Sequence, residues 1–293
     1  NPVELGHLKT AGKRAAQIII GAQAGARGRV AIVPFASGVN AGDFGNKASG
    51  RAPGDDTEND DYHSGMTIER VCVVERSGAQ ALTDASPILG QFVGVPITWA
   101  DEVATPEFDR FTRALCPNSL VHPLDSNLAR VTSALDGLAR SWHTAGGQTA
   151  GHMGVAWTWY TLSPEWTDVW TDTNYGGHAM HAPHAYNEPN VEKVAILMTD
   201  GIFQHGFHED FASDNAAEQI RLANEAAEDL CAGMRAEGIT IYAIGYNAPS
   251  AAETMLENCT GDASRVFTTN VASELEQIYE QIAGRYLGVG LIE

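Results

Sequence analysis

The sequence predicts a doubly wound α/β fold, a mostly parallel sheet flanked by helices, formed as a single domain over residues 1–293. Two observations predict it. Short, nearly continuous apolar runs such as Arg29–Ala36 and Val191–Met198 have the length of strands buried on both faces. Amphipathic stretches with apolar residues every three or four positions alternate with those runs, which is the order of a sheet covered by helices.

Taken in chain order, residues 3–20 carry Leu5, Leu8, Gly12, Ala15 and Ile19 at helical spacing, with Lys9, Lys13 and Arg14 on the wetter side. The Arg29–Ala36 strand follows, interrupted by Pro34. Residues 37–66 are rich in Gly, Asn and Asp and read as an exposed loop. The acidic run Gly54–Asp61 within it lacks the spacing of an EF-hand calcium loop. Val71–Arg76 is the next strand, and 77–125, punctuated by Pro87, Pro96, Pro106, Pro117 and Pro123, reads as an irregular insertion. Ser126 is placed to cap a helix whose inner face carries Leu128, Val131, Leu135 and Leu138.

The second half is more regular. Thr149–Tyr160 reads as a helix, 163–190 as a His- and Trp-rich insertion, and Ser213–Ala236 as a long amphipathic helix. Ile239–Tyr246 and Arg265–Thr269 are strands. Ser273 and Glu276 have the spacing of a capping box at the start of a last helix carrying Leu275, Ile278, Ile282 and Tyr286.

Composition narrows the function. The formal charge of −19, from 37 acidic and 18 basic residues, would repel a phosphate backbone and excludes nucleic acid as a natural partner. No stretch approaches the roughly 18 to 20 consecutive apolar residues of a membrane span. The chain opens on Asn1 without a charged and apolar leader, so the reading is of a segment from a longer gene product, with any signal or membrane anchor upstream. Cys72, Cys116, Cys231 and Cys259 form no CxxC, which excludes a zinc ribbon or thioredoxin motif and leaves three disulfide pairings open. Catalytic motifs are absent: there is no nucleophile elbow, no phosphate-binding Walker loop and no His-Glu-x-x-His.

Three sets of side chains carry potential chemistry. Asp200 follows the apolar run Ala195–Met198 at a strand's carboxyl end, where doubly wound sheets bind ligands, and Gly201 turns the chain after it. The alternative is an Asp that caps a turn. His178, His181 and His184 recur at every third position in a loop, where a zinc site competes with an ordinary polar surface. Trp157 and Tyr160 share a helical face and read as core. Trp166 and Trp170, beyond Pro164, are candidates for a glycan or partner platform, with core packing the competing expectation.

Several motifs together resemble a known family. Val194-Ala-Ile-Leu-Met-Thr-Asp-Gly201 and Gly238-Ile-Thr-Ile-Tyr-Ala-Ile-Gly245 resemble the fourth and fifth strands of a von Willebrand factor A domain of Rossmann type. Gly146–Trp157 is similar to the loop and helix that supply the threonine of its metal-ion-dependent adhesion site. Within that family, Thr149-Ala-Gly-His152, Trp157-Thr-Trp-Tyr-Thr-Leu-Ser-Pro164, Val33-Pro-Phe-Ala36 and Cys72-Val-Val-Glu-Arg76 resemble the TadG-like proteins of tight-adherence (Flp) pili. The family's Asp-x-Ser-x-Ser segment, which ends the first strand, does not occur in the chain; residues 1–8 already lead into the first helix.

The resemblance implies a site for Mg²⁺, or for Ca²⁺ or Mn²⁺, built from Thr149, a water-bridged Asp200 and two hydroxyls of the Asp-x-Ser-x-Ser segment that the chain lacks, with one position open for a partner's carboxylate. It implies disulfides Cys72–Cys116 and Cys231–Cys259, and a periplasmic or extracellular place on a Gram-negative bacterium. It also implies a non-enzymatic role, adhesion or pilus assembly through a protein partner. The competing expectations are a structural subunit of a surface filament or coat with a dead metal site, and a zinc-dependent hydrolase built on the His-rich loop.

Overall fold

The computed structural model describes residues 2–21, 28–50, 72–94, 117–139, 149–172, 175, 177–178, 180–206, 208, 210–211, 213, 215–286 and 291–292. The acidic run 54–61 and Cys116 lie outside these residues.

The centre of the fold is a parallel sheet of three strands, β6 (Val194–Thr199), β7 (Thr240–Tyr246) and β8 (Val266–Thr269), in that spatial order. Val194 pairs with Thr240 and Thr199 with Gly245, while Ala243 pairs with Val266. This is the parallel part of the predicted sheet. Beside it, β1 (Val30–Ile32) pairs antiparallel with β4 (His122–Asp125). Among the described residues two smaller ladders complete the strands: β2 (Val39–Asn40) antiparallel with β3 (Cys72–Val73), and β5 (Val191–Glu192) parallel with β9 (Leu291–Ile292).

Helices cover both faces. On one lie α1 (Pro2–Gly21), α3 (Leu128–Asp136) and α8 (Ala272–Gly284). Ala11 and Ala15 of α1 pack with Leu275 and Ile282 of α8 over Tyr242 and Ile244 of β7. Ala16 meets Val131 and Leu135 of α3. Small residues let these helices approach closely; the Leu135 side chain lies 3.0 Å from where a Cβ on Gly12 would stand. The other face carries α4 (Gly151–Leu162), α6 (Ala216–Ala236) and α7 (Ser250–Thr260). Asn215 caps α6 by accepting from the N–H groups of Ala217 and Glu218. The Cys231–Cys259 disulfide ties α6 to α7 with Cα atoms 5.0 Å apart. Closing its 28-residue loop stabilises the fold by roughly 3 to 4 kcal/mol in the chain-entropy model.

Helix α4 is buried on nearly every side; of its twelve residues only Thr158 is partly exposed. A helix apolar all round belongs inside a protein, and here glycines make room for it. A Cβ on Gly151 would fall 1.9 Å from the Phe203 ring, and one on Gly154 would fall 2.4 Å from Phe35. From the opposite side, Gly233 of α6 receives the Trp159 ring.

The structure corrects several sequence expectations. Residues 39–48 are not an exposed loop: Val39, Asn40, Ala41, Phe44 and Ala48 are fully buried, and Asp43–Ala48 forms a short helix, α2. Phe44 stacks against Tyr175 and tilts onto Trp170, which draws this polar-looking stretch into the core. The 77–125 region supplies β4, a strand of the architecture. Asn127, one residue beyond Ser126, caps α3 by accepting from Arg130 N–H. The Ser273–Glu276 box does not form, because α8 begins at Ala272 and Ser273 sits inside its first turn; Glu274 accepts from Thr269 Oγ1 instead. Helix α7, between β7 and β8, has no counterpart in the sequence reading because its apolar stripe is short and its outer face polar.

Trp166 and Trp170 are 0% and 1% exposed, so neither presents a ring to a partner. They complete an aromatic cluster on α4. Tyr160 and Trp166 stack with centroids 3.8 Å apart, and Trp157 meets both Trp166 and Trp170 edge-on. Arg76 places its guanidinium 5.9 Å from the centroids of Tyr160 and Trp166 and donates to the carbonyls of Thr83 and Gln91. Burial pushes the Tyr160 hydroxyl up to about 12, against the opposing pull of Arg76.

Asp125 anchors β4 to α3. It accepts a two-pronged bond from Arg130 at 2.6 Å and another from Asn127 N–H, and these hold its carboxyl below the ordinary range although burial pushes the other way. His122 lies 3.3 Å from the same carboxylate, yet burial outweighs that charge and lowers its pKa below 6.5. Folded His122 therefore resists protonation.

Two predictions follow from this packing. Gly154→Ala, although it improves helix propensity, will destabilise the protein by about 1–3 kcal/mol through the Phe35 clash, read from denaturant midpoints. With pH, the unfolded chain takes up a proton on His122 below about 6.5 before the folded chain does, so stability is full above that value and falls beneath it. The melting midpoint will drop between about pH 7.5 and about pH 5.5, and His122→Asn will shrink that drop.

Candidate functional site

The carboxyl ends of β1 and β6 lie at one end of the domain, and the loops after them are stitched together there. Ala150 N–H donates to Ala36 O after β1, and Gln204 N–H donates at 2.8 Å to Thr149 O. Thr149 thus sits between the segments that follow the two strands. Asp200, directly after β6, is exposed, and Thr149 is partly buried. Thr199 shapes the turn: its hydroxyl donates to Gly201 O and accepts from Gly201 N–H. Phe203 then folds back into the core, edge-on to Phe35 and flush against Gly151. The Thr149 and Asp200 oxygens are hard donors suited to a small divalent cation.

Beneath this loop cluster lies a polar group that sequence reasoning did not assemble. His152, in the first turn of α4, and Glu75, just after β3, have side chains only 2% exposed and meet at 2.7 Å between Nε2 and Oε1. Phe211 covers the imidazole, its ring centroid 5.7 Å away. His152 Nδ1 is buried without a hydrogen-bond partner. His205 is close enough to feel both groups: burial lowers its pKa, Glu75 opposes and His152 adds to the fall. The signal in the sequence was the ionisable pair Glu75-Arg76 ending an apolar strand. Such residues are buried only when something inside the fold pairs with them.

The histidine-rich loop does not converge. His181 Nε2 bonds Ser126 Oγ, His184 Nδ1 bonds Glu188, and His178 is exposed. Among the described residues no group of three or more His, Cys, Asp or Glu is arranged to hold a metal ion. A second polar knot secures the 72–94 segment to the aromatic core: Asp84 accepts from Ser163 and Tyr186 hydroxyls at 2.5 Å, and its carbonyl accepts from Trp166 Nε1. Cys231–Cys259 is formed, and Cys72 is disulfide-bonded; its expected partner, Cys116, lies outside the described residues. Among the described residues no helix is long and apolar enough to cross a membrane.

Breaking the buried His152–Glu75 pair strands one polar group in the core. His152→Ala will cost about 3–5 kcal/mol, and the paired replacement of His152 and Glu75 by Phe and Leu will cost less than either single change, measured by denaturant unfolding.

No family model matches the sequence, and no curated protein matches it. Several solved structures are similar along nearly the whole chain. The vWF domain of the type V pili tip protein Mfa5 from Porphyromonas gingivalis is 11% identical, with 99% of this chain and 90% of that one aligned at a TM-score of 0.49. The pilus adhesin SpaC from Lactobacillus rhamnosus GG is 12% identical over 96% of this chain, at 0.45. Proximal thread matrix protein 1 from the mussel byssus is 14% identical over 97% of this chain, at 0.41, and has also been solved with a zinc-occupied MIDAS motif. The chain spans 43% of the mussel protein's length and 28% of the adhesin's.

Proposed function

We propose that this chain is a von Willebrand factor A-like domain of a TadG-like surface or pilus-assembly protein, working by non-enzymatic adhesion to a protein partner. The observation that carries the reading is the join between Thr149 and the loop that follows β6, made by Gln204. That join bonds Thr149 to the loop that also carries Asp200, which supports the reading. The formed Cys231–Cys259 disulfide supports an oxidising setting, periplasmic or extracellular.

A Mg²⁺ ion takes about six oxygens near 2.0–2.1 Å and readily keeps several waters. Thr149 Oγ1 and the Asp200 carboxylate would hold it from one side. The family's Asp-x-Ser-x-Ser hydroxyls, absent from residues 1–293, would supply two more oxygens, and water and a partner's acidic side chain would fill the rest, which makes the metal a bridge to an acidic partner. Ca²⁺ or Mn²⁺ would bind the same oxygens. His152 and Glu75 would act from below, fixing the first turn of α4 and with it the Thr149 backbone. The reading predicts no catalytic turnover. A structural subunit with an inactive site remains the second reading, favoured by the small number of protein oxygens in the pair.

A thermal melt with Mg²⁺, Mn²⁺ or Ca²⁺ against chelator tests this. A cation that binds only the folded state stabilises by about 2.7 kcal/mol at a hundred times its dissociation constant. The expected result is a cation-dependent rise in the wild type that disappears in Asp200→Ala and Thr149→Val. No rise in any of them, measured on a longer chain that carries the upstream Asp-x-Ser-x-Ser segment, assigns the domain to the structural reading.

A further inference from the structure

We infer that the segment from Gln204 to Phe211 is an acid-released cover, closed over the buried His152–Glu75 pair at neutral pH and opened when His205 takes up a proton. The cover lies between β6 and α6, and its described residues form neither helix nor strand. Few bonds fasten it. Gln204 N–H donates to Thr149 O and Phe211 N–H to His208 O, both at 2.8 Å, and Gln219 Nε2 donates to Phe211 O at 2.7 Å. Phe203, buried edge-on to Phe35, anchors the chain just before it. Gly206 lets the cover fold back on itself, since a Cβ there would stand 2.3 Å from the Phe211 carbonyl oxygen.

Beneath the cover one ionisable pair is already buried. His152 Nε2 and Glu75 Oε1 meet at 2.7 Å with side chains only 2% exposed, and the Phe211 ring closes over the imidazole at 5.7 Å. His205 brings a second imidazole to this place from the cover itself. Among the described residues the charges facing it are Glu75, from the segment after β3, and His152, from the first turn of α4. The cover's other described ionisable side chains, His208 and Asp210, pair with each other at 3.2 Å. A proton on His205 in the closed state therefore adds a cation beside a pair that has already matched its carboxylate to an imidazole, in surroundings that penalise charge.

The direction of the response follows. Burial pushes the His205 pKa below 6.5; Glu75 opposes and His152 adds to the fall. In the opened segment the imidazole meets water and takes its proton at the ordinary value of about 6.5, before the closed form does. Closure is thus complete above that pH and weakens as the pH falls beneath it. A lightly bonded segment opens at lower cost than the whole domain, so the sheet stays folded while the cover lifts. The device needs no metal. Where the metal reading holds, opening parts Gln204 from Thr149 and loosens the loop that carries Asp200.

Amide hydrogen exchange on the whole chain in chelator, at pH 7.5 and pH 5.5, tests this, each rate being taken relative to an unstructured peptide at the same pH. The expected result is that protection of the Gln204 N–H falls about three- to tenfold at the lower pH, tenfold being the limit for an opened imidazole of ordinary pKa. The N–H groups of β7 stay better protected than Gln204 throughout. His205→Gln, which cannot take the proton, holds the Gln204 protection nearly constant, and Asp200→Ala leaves the wild-type response intact, which separates this device from the metal site. Three results would overturn the inference: no loss at Gln204 in acid, the same loss in His205→Gln, or Gln204 and β7 exchanging together at both values. Should His205→Gln not fold, the wild-type comparison of Gln204 with β7 decides: a loss at Gln204 larger than that of β7 upholds the cover, and an equal or smaller one removes it.

Discussion

Burial of α4 is the constraint on which the rest of the structure depends. A helix enclosed on nearly every side can neither tilt nor rotate without opening voids or clashes. Its glycines set how closely Phe35 and Phe203 approach, and its aromatic residues set where the 163–172 segment lies. Because Ala150 is bonded to the end of β1 and Thr149 to the loop after β6, the first turn of α4 also locates the candidate site. Packing of the core and geometry of the site are one problem in this fold.

The polar groups around α4 reinforce that position rather than loosening it. Glu75 meets His152 at the helix start, and Asp84 gathers the Ser163 and Tyr186 hydroxyls with its carboxylate and the Trp166 indole N–H with its carbonyl near its end. Arg76 lies between, over the Tyr160–Trp166 stack. Buried ionisable groups of this kind contribute little net stability when paired, but each makes the alternative packings expensive by leaving a charge unmet. The 72–94 segment, short of regular structure, is therefore held as firmly as a strand would be.

The alternation of apolar runs and amphipathic stretches made the parallel strands and the long helices readable, because β6, β7 and α6 bury continuous or periodic faces. Local composition misled where tertiary packing overruled it. Gly-, Asn- and Asp-rich residues 39–48 read as loop, yet Phe44 pulls them inward against Trp170 and Tyr175. Trp166 and Trp170 were open to two readings because nothing local says which side of Pro164 faces the core. The site was legible in part: the position of Asp200 at a strand end is a pattern of sequence. The Glu75–His152 contact joins residues 77 apart, and no local signal pairs them.

The Cys231–Cys259 bridge has a mechanical consequence. A chain pulled from its ends lengthens by what unravels, and a covalent loop cannot unravel. The bridge withholds 28 residues, a contour of roughly 90–100 Å at about 3.3–3.6 Å per residue. Under load the domain would therefore extend less, with α6 and α7 remaining joined after the sheet beneath them had parted. Reduction would release that hidden length without altering a single contact at the opposite end of the strands.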